Sequence, residues 1–242
     1  MSDRGGAPHG LVSDDELRVA VVDGCRELTH QALALGTSGN VSVRRDARAF
    51  FVSPSGMAYE RLQSLDVPLV DLDGHWFGRC RPSSEWRFHR DIYRTRAEVR
   101  AIVHTHSPKA SALAATGRGI PAFHYMVSAG GGADIRCAAY HTFGTQALSD
   151  AVLTALAGRT ACLIAHHGVI ALGGSLAAAL LLAAQVEDLA GQYCTALAIG
   201  QVQILDAREM ERVIEKFRTY GQADAPDDDL RPGGTQLPQR ED

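Results

Sequence analysis

The apolar residues of this chain recur with two spacings, one typical of helices and the other of strands. Ser13-Asp14-Asp15-Glu16 has the sequence of a capping box, and the helical pattern behind it predicts a helix that runs to Gly36. Further helices are predicted from Pro82 onward and over residues 108–117, 145–158, 175–199 and 207–220. Short apolar runs bounded by turn residues predict strands over residues 41–44, 50–53, 67–71, 75–77, 101–106 and 161–165.

Helices and strands alternate along the chain without an internal repeat or a linker, and residues 120–144 are rich in loop-forming residues. This order predicts a single α/β domain with helices on both faces of a sheet. We expect residues 1–12 to be a flexible leader, residues 13–221 to form the domain and residues 222–242 to be a disordered tail.

Charge and composition argue against a nucleic-acid partner. The formal net charge is −4 and only 6% of the residues are aromatic, so neither a basic surface nor a base-stacking platform is expected. A phosphate group must therefore be bound by a local device.

The cysteines and the hydropathy of the chain indicate in which cellular compartment the protein is expected. Five cysteines are scattered without a CxxC pair, which is typical of reduced thiols in the cytoplasm. The N-terminus has no apolar signal core, and the long apolar stretch over residues 176–199 is interrupted by Gln185, Glu187, Asp188 and Gln192. We therefore expect a soluble cytoplasmic protein without a membrane partner.

Histidines follow two of the predicted strands. His104 and His106 are two residues apart, so both side chains point to the same side and can bind one ion. His166 and His167 follow another strand and, being adjacent, must point apart, so only one of them is expected to join the pair. Three imidazoles with a fourth position open are typical of a catalytic zinc site. Polar loop residues without a metal are the alternative interpretation.

Glu85 is the candidate acid–base residue. It lies in the first turn of a predicted helix, where the helix dipole favours a carboxylate, and simple helix capping is the alternative. Ser83 and Ser84 precede it and, with the free amides of the helix terminus, form a candidate anion site. Two further turns can add backbone donors to the same phosphate, Gly39-Asn40 and Ser55-Gly56.

Several common nucleotide and hydrolase motifs do not occur. Gly130-Gly131-Gly132 lacks the GxGxxG frame of dinucleotide-binding proteins, and neither a GxSxG elbow nor a GxxxxGK[ST] loop occurs. The only lysines, Lys109 and Lys216, lie in no pocket motif, which argues against imine chemistry.

Eight motifs, taken together and in order, resemble the class II aldolase/adducin family, and within it most closely the bacterial fuculose-phosphate aldolases. The resemblance covers about residues 16–221. The motifs that carry it are Gly36-Thr37-Ser38-Gly39-Asn40-Val41-Ser42, Pro54-Ser55-Gly56, Pro82-Ser83-Ser84-Glu85-Trp86-Arg87-Phe88-His89, Val103-His104-Thr105-His106, His124-Tyr125-Met126, Thr142-Phe143-Gly144-Thr145, His166-His167-Gly168 and Lys216-Phe217-Arg218-Thr219-Tyr220-Gly221.

The resemblance implies a three-layer α/β/α domain around a mixed, largely antiparallel sheet, assembled as a homotetramer with active sites between subunits. It implies that zinc is bound by His104, His106 and His167, and that Glu85 is the acid–base residue. It assigns the substrate phosphate to Gly39, Asn40, Ser55, Gly56, Ser83 and Ser84. Tyr125 is implied to reach a neighbour's site as a proton donor, and Tyr220 to help close the site.

The reaction that the resemblance implies is cleavage of a sugar ketose 1-phosphate to dihydroxyacetone phosphate and an aldehyde. L-fuculose 1-phosphate is the first candidate substrate and a 5-deoxypentulose 1-phosphate is the second. A methylthioribulose-phosphate dehydratase and a keto-acid-phosphate decarboxylase stay open as alternatives. Epimerases of the family tend to carry Asp where Glu85 stands, which counts against them. An adducin-like binding module and a generic zinc hydrolase are the outside alternatives.

Overall fold

An eight-stranded sheet carries the fold, and helices cover both of its faces. The computed structural model describes residues 12–219, so the tail, nearly all of the predicted leader and Tyr220 lie outside the described residues. The strands are β1 (Asn40–Arg44), β2 (Ala49–Val52), β3 (Leu69–Asp71), β4 (Trp76–Phe77), β5 (Ala101–Thr105), β6 (Arg136–Ala138), β7 (Ala161–Ile164) and β8 (Gly168–Gly173). The helices are α1 (Asp14–His30), α2 (Trp86–Thr95), α3 (Pro108–Ala114), α4 (Gln146–Ala155), α5 (Leu176–Ile199) and α6 (Ala207–Thr219).

The sheet is mixed and largely antiparallel. Its strand order is β4-β3-β2-β1-β5-β8-β7-β6, and only the pair β6–β7 at one edge is parallel. Antiparallel neighbours can be joined by short turns, as between β7 and β8, whereas the parallel pair is connected through α4. The mixed sheet implied by the resemblance is confirmed.

Alternating side chains of the strands form two cores, one on each face. Val103 and Leu163 pack with α1, α3 and α5 on one face, while Ile102 and Ile170 pack with α2 and α4 on the other. A sheet between two helical layers is an α/β/α arrangement, so the predicted fold class is confirmed. Among residues 12–219, no helix combines the length and the apolar composition needed to cross a bilayer.

The capping box of Ser13 and Glu16 is present, but the first helix ends earlier than predicted. It stops at His30 instead of Gly36, because the chain turns at Ala32 with a φ of 55°. Leu33 then packs into the core, and Leu35, which falls within the predicted helix, is 88% exposed.

Two strands were not predicted. β6 lies within the stretch that was expected to be loop, and β8 directly follows His166-His167. β8 lies between β5 and β7 and is buried on both faces. A strand buried on both faces has no alternation of polar and apolar residues, so its period cannot be recognised.

The register of the central strands determines where the polar side chains meet. Asn40 is opposite His104 across β1–β5, and His104 is opposite Ile170 across β5–β8. His104 alternates with Val103 and therefore lies on the face of the sheet that α2 covers. The N-terminus of α2, the end of β5 and the β7–β8 turn thus meet at one place.

Candidate active site

Three imidazoles converge at the end of β5 and in the β7–β8 turn. The ring centroids of His104, His106 and His167 are 4.8 Å apart in every pair. His166 is excluded from this group: it occupies the turn with a φ of 55°, and its ring contacts Tyr140. The adjacent histidines therefore point apart, and the structure brings His167 to the site.

A hydrogen bond to the backbone fixes the ring of His104. Its Nδ1 lies 2.8 Å from the carbonyl oxygen of Val169, which can only accept, so Nδ1 carries the proton and Nε2 presents a lone pair. That Nε2 lies 3.0 Å from Nε2 of His106. Burial, together with the neighbouring His104 and His167, lowers the pKa of His106 to about 3. A neutral imidazole is the form that binds metal ions.

Glu85 faces the three rings from the N-terminus of α2. It occupies the N-cap position and not the first turn, and its side chain makes no capping hydrogen bond. Its Oε2 lies 3.2 Å from Nε2 of His104, and its Oε1 lies 3.1 Å from Nε2 of His167. Burial opposes ionisation, but positive charge at the cluster, carried by His104 and His167 in their protonated forms, outweighs it and holds the pKa of Glu85 well below its usual range.

The four side chains fit a divalent metal ion. Their ligand atoms all lie within 4.8 Å of one another. Oε1 of Glu85 is buried and has no hydrogen-bond donor in the described part of the chain, which is costly unless a cation satisfies it. Imidazole nitrogens with one carboxylate are a typical donor set for zinc.

An open fourth position beside the imidazoles is the expectation from the sequence. The structure places the Glu85 carboxylate there, because its side chain turns towards the rings instead of capping the helix. A ligand that enters this site must therefore displace the carboxylate or bind as an additional donor. Catalytic zinc sites can expand to five donors.

The side chain of Asn40 lies between Glu85 and His89 and contacts both. Its Nδ2 donates to Oε2 of Glu85 at 3.0 Å, its Oδ1 lies 2.5 Å from Nε2 of His89, and only 2% of the residue is exposed. One N–H of Nδ2 and the Oδ1 atom are therefore engaged, while the second N–H of Nδ2 and the backbone are the parts of Asn40 left for an anion in the cavity.

A cavity of about 330 Å³ joins this cluster to the three turns. The walls contain all six residues that were assigned to the phosphate, and also Glu85, His106 and His167. Within the described residues, the backbone N–H groups of Gly56 and Ser84 donate to no protein acceptor. Unpaired donors at adjacent turns are suited to an anion.

The cavity has further walls to which the sequence analysis assigned no role. Besides His166, which also lines the cavity, Tyr140 and Phe143 line it and are 55% and 64% exposed, and Thr37, Ser38 and Pro54 complete the lining. Their apolar or hydroxyl side chains carry no chemical signature of their own. His89 was named only as part of a family motif, although its position one helical turn after Glu85 is a signal that links the two.

Tyr125 lies away from the cavity of its own chain. It is 49% exposed on a short 3-10 helix, and its ring stacks on His124 at 4.8 Å and on Phe217 at 6.2 Å. Tyr125 is not among the residues that line the cavity. Tyr220 lies outside the described residues.

Known proteins resemble this chain in sequence and in structure. The profile of the Class II Aldolase and Adducin N-terminal domain matches residues 19–194. The 5-methylthioribulose-1-phosphate/5-deoxyribulose-1-phosphate aldolase of Rhodospirillum rubrum is 52% identical over 205 residues, which cover 85% of this chain and 92% of that protein. The L-fuculose phosphate aldolase of Escherichia coli K12 is 44% identical over 209 residues, covering 86% and 96%. A solved L-fuculose 1-phosphate aldolase superposes with a TM-score of 0.82 at 34% identity, covering 86% of this chain and 99% of that one.

Proposed function

This chain belongs to the class II aldolase and adducin family, and from that premise we propose that it cleaves a ketose 1-phosphate reversibly to dihydroxyacetone phosphate and an aldehyde. It is an aldolase and therefore a lyase. The metal that we propose for its site is Zn²⁺, held by His104, His106 and His167 with Glu85 beside it.

One observation carries this proposal: a single cavity connects the histidine–carboxylate cluster with the turns that bear unpaired N–H groups. A ketose 1-phosphate has a phosphate at one end and a carbonyl with an adjacent hydroxyl close by. The cavity offers an anion site and a metal site at neighbouring positions. Binding the phosphate, which does not react, orients the carbon–carbon bond that does.

Cleavage breaks the bond between C3 and C4 of the substrate. The C4 hydroxyl loses its proton as C4 becomes the aldehyde carbon, and the electron pair of the broken bond stays on C3, which takes up a proton. A divalent ion held by His104, His106 and His167 would supply Lewis acidity to the C2 carbonyl, which would favour this charge on C3. We assign the proton exchange at C3 to Glu85, because its carboxylate lines the cavity beside the three imidazoles and its Oε1 has no hydrogen-bond donor among the described residues.

We place 5-deoxyribulose 1-phosphate and its 5-methylthio analogue first among the substrates, and L-fuculose 1-phosphate second. Two observations support this order. The relative named for the first pair is 52% identical and the one named for fuculose phosphate is 44% identical. In addition, the exposed rings of Tyr140 and Phe143 in the cavity wall suit a short apolar tail without a further hydroxyl group.

The products distinguish these substrates. Zinc-loaded protein is incubated with each ketose 1-phosphate, dihydroxyacetone phosphate is measured through a coupled reduction, and the aldehyde is trapped and identified. We expect acetaldehyde or (methylthio)acetaldehyde from the first pair and lactaldehyde from L-fuculose 1-phosphate. Release of water or carbon dioxide without dihydroxyacetone phosphate would assign the chain to a dehydratase or decarboxylase instead. Metal-stripped protein is the control.

The dehydratase alternative shares a substrate with the relative from Rhodospirillum rubrum but not a reaction, since that relative is named an aldolase.

We also propose that the protein acts as a cytoplasmic homotetramer. All five cysteines are free, which suits a reducing compartment. Tyr125 is exposed away from its own cavity, which suits a proton donor that serves a neighbouring subunit. We further propose, from the family resemblance alone, that Tyr220 helps to close the site.

A further inference from the structure

A continuous chain of hydrogen bonds runs through the core from α2 to the candidate acid–base residue. The hydroxyl of Tyr93 lies 2.9 Å from Oγ of Ser42, and this Oγ lies 2.7 Å from Nδ1 of His89. Nε2 of His89 lies 2.5 Å from Oδ1 of Asn40, whose Nδ2 lies 3.0 Å from Oε2 of Glu85. Every member is at most 6% exposed.

The carboxylate determines the direction of this chain. An ionised Glu85 can only accept, so the amide group of Asn40 must point its N–H at Oε2 and its oxygen at His89. Nε2 of His89 must then carry the proton and donate to Asn40. Nδ1 of His89 consequently accepts from the hydroxyl of Ser42.

Tyr93, at the end of the hydrogen-bond chain opposite Glu85, requires the same direction of donation. Within residues 12–219 its hydroxyl has no hydrogen-bond partner other than Ser42. If the chain were reversed, Ser42 would donate to Tyr93 and the buried phenolic hydrogen would be left without an acceptor, which is costly. In the forward direction Tyr93, Ser42, His89 and Asn40 each donate one hydrogen to the next group of the chain.

We propose that His89 is a positioning residue: as the Nε2–H tautomer, fixed by Ser42 and Tyr93 behind it, it holds the Asn40 amide so that its N–H always points at Glu85. The inference rests on the proposed function of Glu85 as the acid–base residue. Asn40 alone cannot do this, because an amide that rotates by half a turn presents an oxygen to the carboxylate.

The surroundings of His89 suit this role. Its ring is fully buried, with Phe88 at 4.7 Å and Phe50 at 6.4 Å between centroids. Burial, helped by His104 and opposed by Glu85, lowers the pKa of His89 to about 3, so the ring stays neutral. A neutral ring has one donor and one acceptor and therefore transmits a direction, whereas a charged ring would donate at both nitrogens.

The consequence for the site is an asymmetric carboxylate. Oε2 of Glu85 is tied by Asn40, whereas Oε1 has no donor. When an entering ligand displaces the carboxylate from the fourth position, Oε1 is the oxygen left to exchange a proton, from an orientation that the buried chain sets. Loss of this orientation is expected to affect the chemical step far more than the binding of the phosphate, because the unpaired N–H groups of Gly56 and Ser84 lie in other turns.

Neutron diffraction from deuterium-exchanged crystals of the zinc-loaded full chain tests the direction itself. We expect deuterium on Nε2 of His89 and none on Nδ1. We also expect the deuterated amide nitrogen of Asn40, and not its oxygen, to face Glu85. Deuterium on Nδ1, or an oxygen of Asn40 facing Glu85, would overturn the proposal. This readout does not depend on turnover. Therefore, if no ketose 1-phosphate releases dihydroxyacetone phosphate, the proposed function fails while the hydrogen-bond chain is still tested.

Two substitutions at one position test the consequence, with kcat and KM measured on 5-deoxyribulose 1-phosphate. His89→Leu removes the donor, and we expect kcat to fall by about 10- to 100-fold with zinc content and KM retained. His89→Gln keeps an N–H at about the place of Nε2, so we expect its kcat to stay within about threefold of the parent. A Gln variant as slow as the Leu variant contradicts the positioning role.

Ser149→Ala is the matched control. Ser149 lies on α4 and is fully buried. Its hydroxyl donates at 2.7 Å to Asp91, which lies on α2 as His89 does, but this hydrogen bond does not lead to Glu85. We expect a loss of stability from the missing hydrogen bond and an unchanged kcat. If Ser149→Ala lowers kcat as much as His89→Leu, the effect is a general loosening of α2 and the proposal is wrong. If His89→Leu does not fold, the Gln variant and the neutron map decide.

Discussion

Replacing Glu85 by Gln separates proton transfer from metal binding, and the structure shows that the amide fits. Oε2 accepts a hydrogen bond from Asn40 at 3.0 Å, and a glutamine oxygen can take over this bond. The new NH₂ group then stands where Oε1 was, 3.1 Å from Nε2 of His167 and without a competing donor. We therefore expect the Glu85→Gln variant to fold, with a change in unfolding free energy below about 1 kcal/mol.

The expected loss lies in turnover. A positioned acid–base group contributes about 10²- to 10⁴-fold, so we expect kcat to fall by that factor, which corresponds to about 3 to 5 kcal/mol in the barrier. The three imidazoles are unchanged, and zinc content is therefore expected to stay near that of the parent. Turnover is followed as release of dihydroxyacetone phosphate, and zinc by metal analysis of the same sample.

Glu187→Gln is the control with the same change of charge. Glu187 accepts from the backbone N–H groups of Lys109 and Ala110 at 3.0 and 2.9 Å and does not line the cavity. We expect it to lose a little stability and no turnover. A Glu85→Gln variant that holds zinc and turns over within about threefold of the parent would refute the acid–base assignment, because proton transfer by this group accounts for far more than that.

Four further outcomes are expected. His106→Ala removes one of three imidazoles, so we expect purified protein without stoichiometric zinc; a variant that holds zinc as tightly as the parent contradicts the ligand set. Removing zinc from the parent with a chelator should lower its Tm. The corresponding loss in the free energy of unfolding is about 4 kcal/mol if free zinc was about a thousand times Kd before removal. The His106→Ala variant should not respond to the chelator. Gly39→Ala should destabilise far more than Gly36→Ala in thermal unfolding: both have positive φ, +78° and +68°, but only the first places a Cβ 2.6 Å from the carbonyl oxygen of His104. The pKa of His89 is about 3 in the folded protein against 6.5 for the free side chain, so the unfolded chain binds more protons between these values and stability falls as the pH drops through that window. The zinc-free His89→Gln variant should show a shallower fall than the zinc-free parent, and equal slopes would contradict the burial argument.

The sequence by itself determined those features that are encoded in consecutive residues. The capping box at Ser13 and Glu16 and the long helix near residues 175–199 follow from local hydrogen bonding and period. The spacing of His104 and His106 placed two imidazoles on one side because a strand alternates with a period of two. Family motifs implied the mixed sheet and the α/β/α layers, and the structure has both.

Only the tertiary structure decided how the parts of the site meet. The hydrogen bond that fixes the His104 tautomer joins residues 65 positions apart, and it requires β8, which has no periodic signal of its own. The turn geometry at φ 55° of His166 directs His167 and not its neighbour to the cluster. The commitment of Asn40 to Glu85 follows from the register of β1 on β5 and the packing of α2 over them. Local rules describe neighbours along the chain, whereas proton positions and carboxylate orientation depend on contacts that only the packed fold creates.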